Sequence, residues 1–154
     1  MKRILVSVLA ILLTANCFGQ AQDVAFGVKL ADAKGKQADA RLIFSDSANS
    51  VLIRVSDHNV ASIPYDSLDK LSYEYTKKHR ITAGAITMVF SLGAGAVVML
   101  TKSKSNWLYI DYHEQTAPKS VVLKLNKKDL HKIFDAAKTH TGKEVINLGN
   151  AGKG

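Results

Sequence analysis

The sequence predicts an α+β fold, mainly β. The expected architecture is an antiparallel sheet, bent or closed into a partly open barrel of about seven strands, with a C-terminal amphipathic helix and an apolar helical insertion. Three observations carry this expectation. Short stretches that alternate apolar and polar residues recur along the chain, the period of strands with one buried face. One late stretch repeats instead at helical spacing. Between two of the strand-like stretches lies Ile81–Leu100, a long run without a single charge.

A chain of 154 residues suits one domain of ordinary size and leaves no room for a two-domain enzyme. Its hydrophobic residues, 47% of the total, are concentrated near the N-terminus and in Ile81–Leu100. The remainder has ordinary globular composition, which excludes a polytopic membrane protein and a disordered chain.

Residues 1–21 read as a secretory signal peptide. Lys2 and Arg3 begin it, Ile4–Thr14 is its apolar run, and cleavage after Gly19 or Ala21 meets the requirement for small residues. An uncleaved anchor would need a longer apolar stretch. Lipidation at Cys17 is disfavoured because Asn16, not a small residue, precedes it. Cleavage removes the single cysteine, and with it any disulfide, thiolate nucleophile or cysteine metal ligand. The expected location is therefore the periplasm or cell envelope. The formal net charge is +8, and cleavage, which removes Lys2 and Arg3, leaves 19 Lys plus Arg against 13 acids, a net charge of +6. For an exported protein, such a charge points to membrane lipid, an acidic envelope polymer or an envelope protein rather than to nucleic acid. A well-solvated basic surface explains it equally.

The expected single domain spans residues 22–148. Val24, Phe26, Val28 and Leu30 alternate with polar or small residues, and a polar loop follows over Ala31–Asp39. Ala40–Ser45 is a short apolar run that ends at the turn-like Asp46-Ser47-Ala48-Asn49. Val51, Ile53 and Val55 form the next strand, and Asp57-His58-Asn59 a turn before Val60–Ile63. Leu71, Tyr73 and Tyr75 alternate with polar residues, as do Leu108, Ile110 and Tyr112 beyond the insertion, and Val121, Leu123 and Leu125 after them. Leu130, Ile133, Phe134 and Ala137 share one helical face, with Asn126 as the expected cap and Gly142 as the stop. Residues 149–154 read as a disordered tail.

Taken together, Ala40–Phe44, Val51–Val55, the Ile63–Leu68 segment, Leu71–Tyr75, Trp107–Tyr112, Val121–Leu125 and the Leu130–Ala137 helix resemble a pleckstrin-homology-like (PH-like) domain. More narrowly, the chain is similar to bacterial secreted proteins of unknown function with this pattern. The Ile63-Pro64-Tyr65 stretch, the apolar insertion and the closing Thr141-Gly142-Lys143 carry that similarity. The resemblance covers residues 40–145 and implies a binding or scaffold module with no activity to carry over. Phosphoinositide binding through a basic first hairpin does not transfer, because Ser45–Ser50 contains no Lys or Arg.

As a straight helix, Ile81–Leu100 would rise about 30 Å, the thickness of a hydrocarbon core. Hydropathy alone thus reads a transmembrane helix. Two arguments oppose it. Strands on both sides belong to one sheet in the PH-like reading, and Lys77, Lys78 and Arg80 on one flank against Lys102 and Lys104 on the other give no positive-inside bias for the implied orientation. A loop dipping into the membrane from one side, or a buried core helix, are the alternatives. The expected membrane contacts are Lys77, Lys78, Arg80, Ile86, Val89, Phe90, Leu92, Val97, Val98, Leu100, Lys102, Lys104 and Trp107. Ala83, Thr87, Ser91 and Gly95 form a small-residue ridge at i+4 spacing, a site for homo-oligomers. Trp107 and Tyr109 fit interface anchors and ordinary strand residues equally, while Tyr73 and Tyr75 read as strand residues.

No catalytic signature is present. The five histidines form no HExxH pair and no Cys/His cluster, so neither metal nor cofactor is expected. Ser62, Ser67, Asp66 and Asp69 could be drawn into a triad with a histidine, but no nucleophile elbow supports one. The reading is an exported, membrane-associated binding or scaffold module and not an enzyme. The alternative is a soluble periplasmic interaction protein whose apolar segment is buried in its core or in a partner.

Overall fold

The alternation read from the sequence becomes a set of paired strands, and the described residues form ten strands and one α-helix. The computed structural model describes residues 22–32, 36–77, 87–88, 97–98 and 104–150. In chain order the strands are β1 (Val24–Ala31), β2 (Lys36–Ser45), β3 (Ser50–Val55), β4 (His58–Pro64), β5 (Leu68–Thr76), β6 (Thr87–Met88), β7 (Val97–Val98), β8 (Ser105–Glu114) and β9 (Ala117–Leu125). Helix α1 (Leu130–Thr141) and strand β10 (Val145–Asn147) follow. The predicted signal peptide and residues 151–154 lie outside the described residues.

Eight strands form one open sheet in the order β10-β5-β8-β9-β1-β2-β3-β4. Neighbours are antiparallel except β10, which runs parallel to β5. The short β6 and β7 join this sheet on β9 and β2. The mainly-β class and the closing helix are therefore as the sequence predicts.

One apolar cluster organises the fold. It contains Val28 and Leu30 from β1, Leu42 and Phe44 from β2, Ile53 from β3 and Ile63 from β4. It also contains Leu71 from β5, Leu108 and Ile110 from β8, Leu123 from β9, and Ile133 and Ala137 from α1. β4 ends the strand order on one side, and β5 is next to last on the other. Both line one core only because the sheet bends round it, and the single 3₁₀ turn Tyr65–Ser67 is enough to join them. Burying one such aliphatic side chain stabilises by about 1.5–3 kcal/mol.

β8 and β9 break the alternation. Trp107–Ile110 and Val121–Leu123 are buried throughout, so these strands bury both faces. Their outward residues Trp107, Tyr109 and Val122 form a second apolar cluster with Ala31. Leu148 packs against it from the 3₁₀ turn after β10.

Helix α1 is fixed at both ends. A 3₁₀ turn over Lys127–Asp129 leads into it, and the Asn126 amide donates to the Gly27 carbonyl at 3.1 Å instead of capping the helix. At the other end Gly142 adopts φ +70° and its N–H bonds the Lys138 carbonyl at 3.0 Å. Glycine suits that left-handed position because it has no Cβ to clash.

Candidate binding site

The first region of interest is the sheet end from which the apolar insertion leaves. Thr76 and Ser105 are register partners at the paired ends of β5 and β8, and Lys77 and Lys104 extend from them, both exposed. This pairing corrects the transmembrane-helix reading. β5 and β8 are hydrogen-bonded along their length, so a bilayer crossed once between them would have to separate adjacent strands of one sheet. Among the described residues no helix is long and apolar enough to cross a membrane.

The described residues of the insertion are strand, not helix. Thr87–Met88 pairs in parallel with Lys119–Ser120 of β9, and Val97–Val98 antiparallel with Lys36–Gln37 of β2. Three of these four residues are β-branched, a side-chain type that favours extended backbone. Thr87, expected on a helical ridge, is thus in a strand. Of the expected membrane contacts, Lys78, Arg80, Ile86, Val89, Phe90, Leu92, Leu100 and Lys102 lie outside the described residues, as do the ridge positions Ala83, Ser91 and Gly95. Trp107 is 1% exposed, within the second cluster, and its indole N–H donates to the Thr76 carbonyl at 3.1 Å.

Beside the same sheet end is a groove of about 660 Å³, lined among the described residues by Tyr73, Tyr75, Lys104, Asn106, Lys127, Leu130, Asn147 and Gly149. The sheet register assembles it. Tyr73 and Tyr75 point to one face of β5, Asn106 is the cross-strand partner of Tyr75, and Asn147 is the partner of Tyr73. Phe134 packs edge-on against the Tyr73 ring at 5.3 Å, so the helix covers this face only up to its first turn. Beyond that turn Tyr75 is left 55% exposed.

The internal hydrogen bonds of the groove consume acceptors. The Tyr73 hydroxyl donates to Asn106 Oδ1 at 2.8 Å, and the Gly149 N–H donates to Asn147 Oδ1 at 2.9 Å. Burial, with the Tyr75 phenol nearby, pushes the Tyr73 hydroxyl above its ordinary pKa, so it stays a donor at neutral pH. Two side chains that carry an amide NH₂ and two that carry an ammonium group line the groove, and no carboxylate lines it among the described residues. The Lys104 ammonium lies 5.8 Å from the centre of the Tyr75 ring, a cation–π distance.

Two other clusters occupy different ends of the molecule. At the C-terminus of α1, His140 Nδ1 lies 2.8 Å from Asp46 Oδ1, and its ring stacks on Phe44 at 5.9 Å. The Tyr65 hydroxyl also donates to Asp46, at 3.3 Å. Burial first, then the charge of Asp46 and the hydrogen bond to it, and last Asp23, push the Tyr65 pKa up to about 12. Ser45 and Ser47 donate to Asp23, not to a histidine. The second cluster lies in a smaller cavity of about 370 Å³ between β4 and the β8–β9 hairpin. There His113 Nδ1 pairs with Asp69 at 2.8 Å, and Lys119 pairs with Glu114.

Ser62 and Ser67, considered for a triad, line this same cavity with His113, and Asp69, also considered, is that histidine's partner; the Ser67 hydroxyl itself donates to its neighbour Asp66 at 3.3 Å. Among the described residues no group of three or more His, Cys, Asp or Glu is placed to hold a metal ion.

Of the expected site residues that are described, Lys104 alone lines the groove. Lys127, Asn106 and Asn147 were not legible as site residues. Asn147 reaches the groove because β10 returns beside β5 after the helix, and three residues are too few to show strand periodicity. Scanned against protein-family models, the chain matches none, and a search of the curated proteins finds no match.

Proposed function

We propose that the protein is an exported binding module, PH-like by its sequence resemblance, that associates with an anionic envelope surface from one side. The observation that carries this reading is the pairing of Thr76 with Ser105, which puts Lys77 and Lys104 at one end of the sheet. Cations on both flanks of the insertion then face the same surface and add their attractions, at about 1 kcal/mol each near anionic lipid. The test is co-sedimentation with anionic vesicles. Replacing Lys77, Lys78, Arg80, Lys102 and Lys104 by Gln should weaken attachment by several kcal/mol at low salt, and the difference should shrink as salt rises. Unchanged attachment in that variant would refute the reading.

A second reading has its own support. The pairing of β6 with β9 and of β7 with β2 favours a soluble interaction protein whose apolar segment is held against its own sheet. Recovery of the exported protein wholly in the soluble fraction, without detergent or high salt, would favour it.

A further inference from the structure

The groove beside the start of α1 has a chemistry that the membrane reading does not use. It is built from β5, β8, β10 and the turn before α1, and its argument does not rest on lipid attachment. We infer that this groove is a binding site for an acidic sugar, a ring bearing hydroxyls and one oxyanion. Three features of the groove carry the inference.

The first is charge. Lys104 and Lys127 line the groove without a carboxylate among the described lining residues, so the complementary ligand is anionic. Ammonium groups bind oxyanions through charge-assisted hydrogen bonds, about twice as strong as neutral ones. Lys104 is positioned for this by the ring beneath it.

The second is donor geometry. The Asn106 and Asn147 oxygens each accept an internal hydrogen bond, from Tyr73 and Gly149, so the NH₂ is the donor that each of these lining side chains brings to a ligand. A bare inorganic anion needs only the lysines. Two further neutral donors, fixed on different strands, suit a ligand with several oxygens spread over a ring.

The third is the wall. Tyr75 is one of only two large hydrophobic residues left strongly exposed among the described residues, and it lines this groove. A phenol offers an apolar face and a polar tip, which matches the mixed surface of a sugar better than that of an acyl chain. The groove has no deep apolar floor for a chain: Leu130 is its single aliphatic side chain among the described residues.

The experiment is an amide-resolved NMR titration of the purified protein with four probes: glucose 6-phosphate, glucuronate, glucose and inorganic phosphate. Both anionic sugars should give saturable shifts at the Asn106 and Asn147 side-chain amides and at the Gly149 N–H. Glucose should give none over the same range, and phosphate should bind at least about tenfold more weakly than glucose 6-phosphate. Combining Lys104→Gln with Lys127→Gln should weaken the sugars about tenfold or more, whereas Lys77→Gln leaves their affinity unchanged. Tyr75→Ala, at an exposed position that should not disturb folding, should weaken them too. The absence of saturable shifts, equal binding of phosphate and sugar phosphate, or undiminished binding in the double variant would each overturn the assignment. Vesicle attachment and sugar affinity, both measured on Lys77→Gln and on Lys127→Gln, separate the two proposals. The membrane reading expects a loss in the first, and the sugar site expects a loss of sugar affinity in the second.

Discussion

Trp107 gives the sharpest test of the fold. Read as a membrane contact, its truncation should leave stability alone and weaken attachment. The structure instead buries it to 1% exposure in a cluster with Ala31, Tyr109 and Val122, with its indole N–H bonded to the Thr76 carbonyl. Trp107→Ala removes a large buried ring and leaves a cavity, which costs about 3–5 kcal/mol. Trp107→Phe keeps most of the ring and loses the hydrogen bond, for about 1–3 kcal/mol. A domain this size has a total stability of about 5–15 kcal/mol, so the alanine variant forfeits a large share of it. Urea unfolding followed by far-UV circular dichroism reads this without needing tryptophan fluorescence. With a slope of about 1–3 kcal/mol per molar, the alanine midpoint should fall by at least about 1 M. Tyr75→Ala, at an exposed site, serves as the control and should move stability by no more than about 0.5 kcal/mol. An unchanged midpoint in Trp107→Ala would refute the assignment of this residue to the interior.

Further expectations follow from the same packing. Ile133→Ala, at a fully buried helix position facing the sheet core, should destabilise by about 2–5 kcal/mol, read by chemical denaturation. Gly142→Ala meets no atom within 4 Å, so its cost is conformational alone, about 1 kcal/mol from the φ of +70°. Tyr65 supplies a pH signature. Because its pKa is raised from 10.0 to about 12 in the folded chain, its contribution is complete below pH 10 and is lost as pH rises through about 12. The stability difference between the native protein and Tyr65→Phe should therefore narrow over that window, measured by denaturation at successive pH values. A difference that stays constant would show that burial and the neighbouring Asp46 do not raise the Tyr65 pKa.

The strands were legible wherever one face is buried and the other wet. β1 and β3 show this in Val28 and Leu30 and in Val51 and Ile53. The helix was legible because its buried Ile133 and Ala137 fall on one face. Reading failed where a second contact changes the rule. The polar stretch before Ala40 gave no strand signal, yet β2 begins at Lys36 because Gln37 and Ala38 pair with Ala31 and Leu30. Asn126 read as a cap but bonds Gly27 across the fold, an interaction invisible to local sequence. The apolar insertion misled at its described residues, Thr87–Met88 and Val97–Val98, which are strand although an uncharged run reads as a helix by hydropathy whatever it pairs with. The groove was almost wholly hidden: Tyr75, Asn106, Lys127 and Asn147 come from four elements and are neighbours only through sheet register and the return of β10.

The central claim is that both ends of the insertion leave one sheet side by side. Lys77 and Lys104 are exposed and adjoin the paired ends of β5 and β8, so each tolerates replacement by Cys as a reporter. The measurement is labelling of Lys77→Cys and Lys104→Cys, each in a Cys17→Ser background, with a membrane-impermeant thiol reagent on intact spheroplasts. The account expects both positions to react to the same extent from the outside. Reaction at one position and protection at the other until the membrane is permeabilised would contradict it.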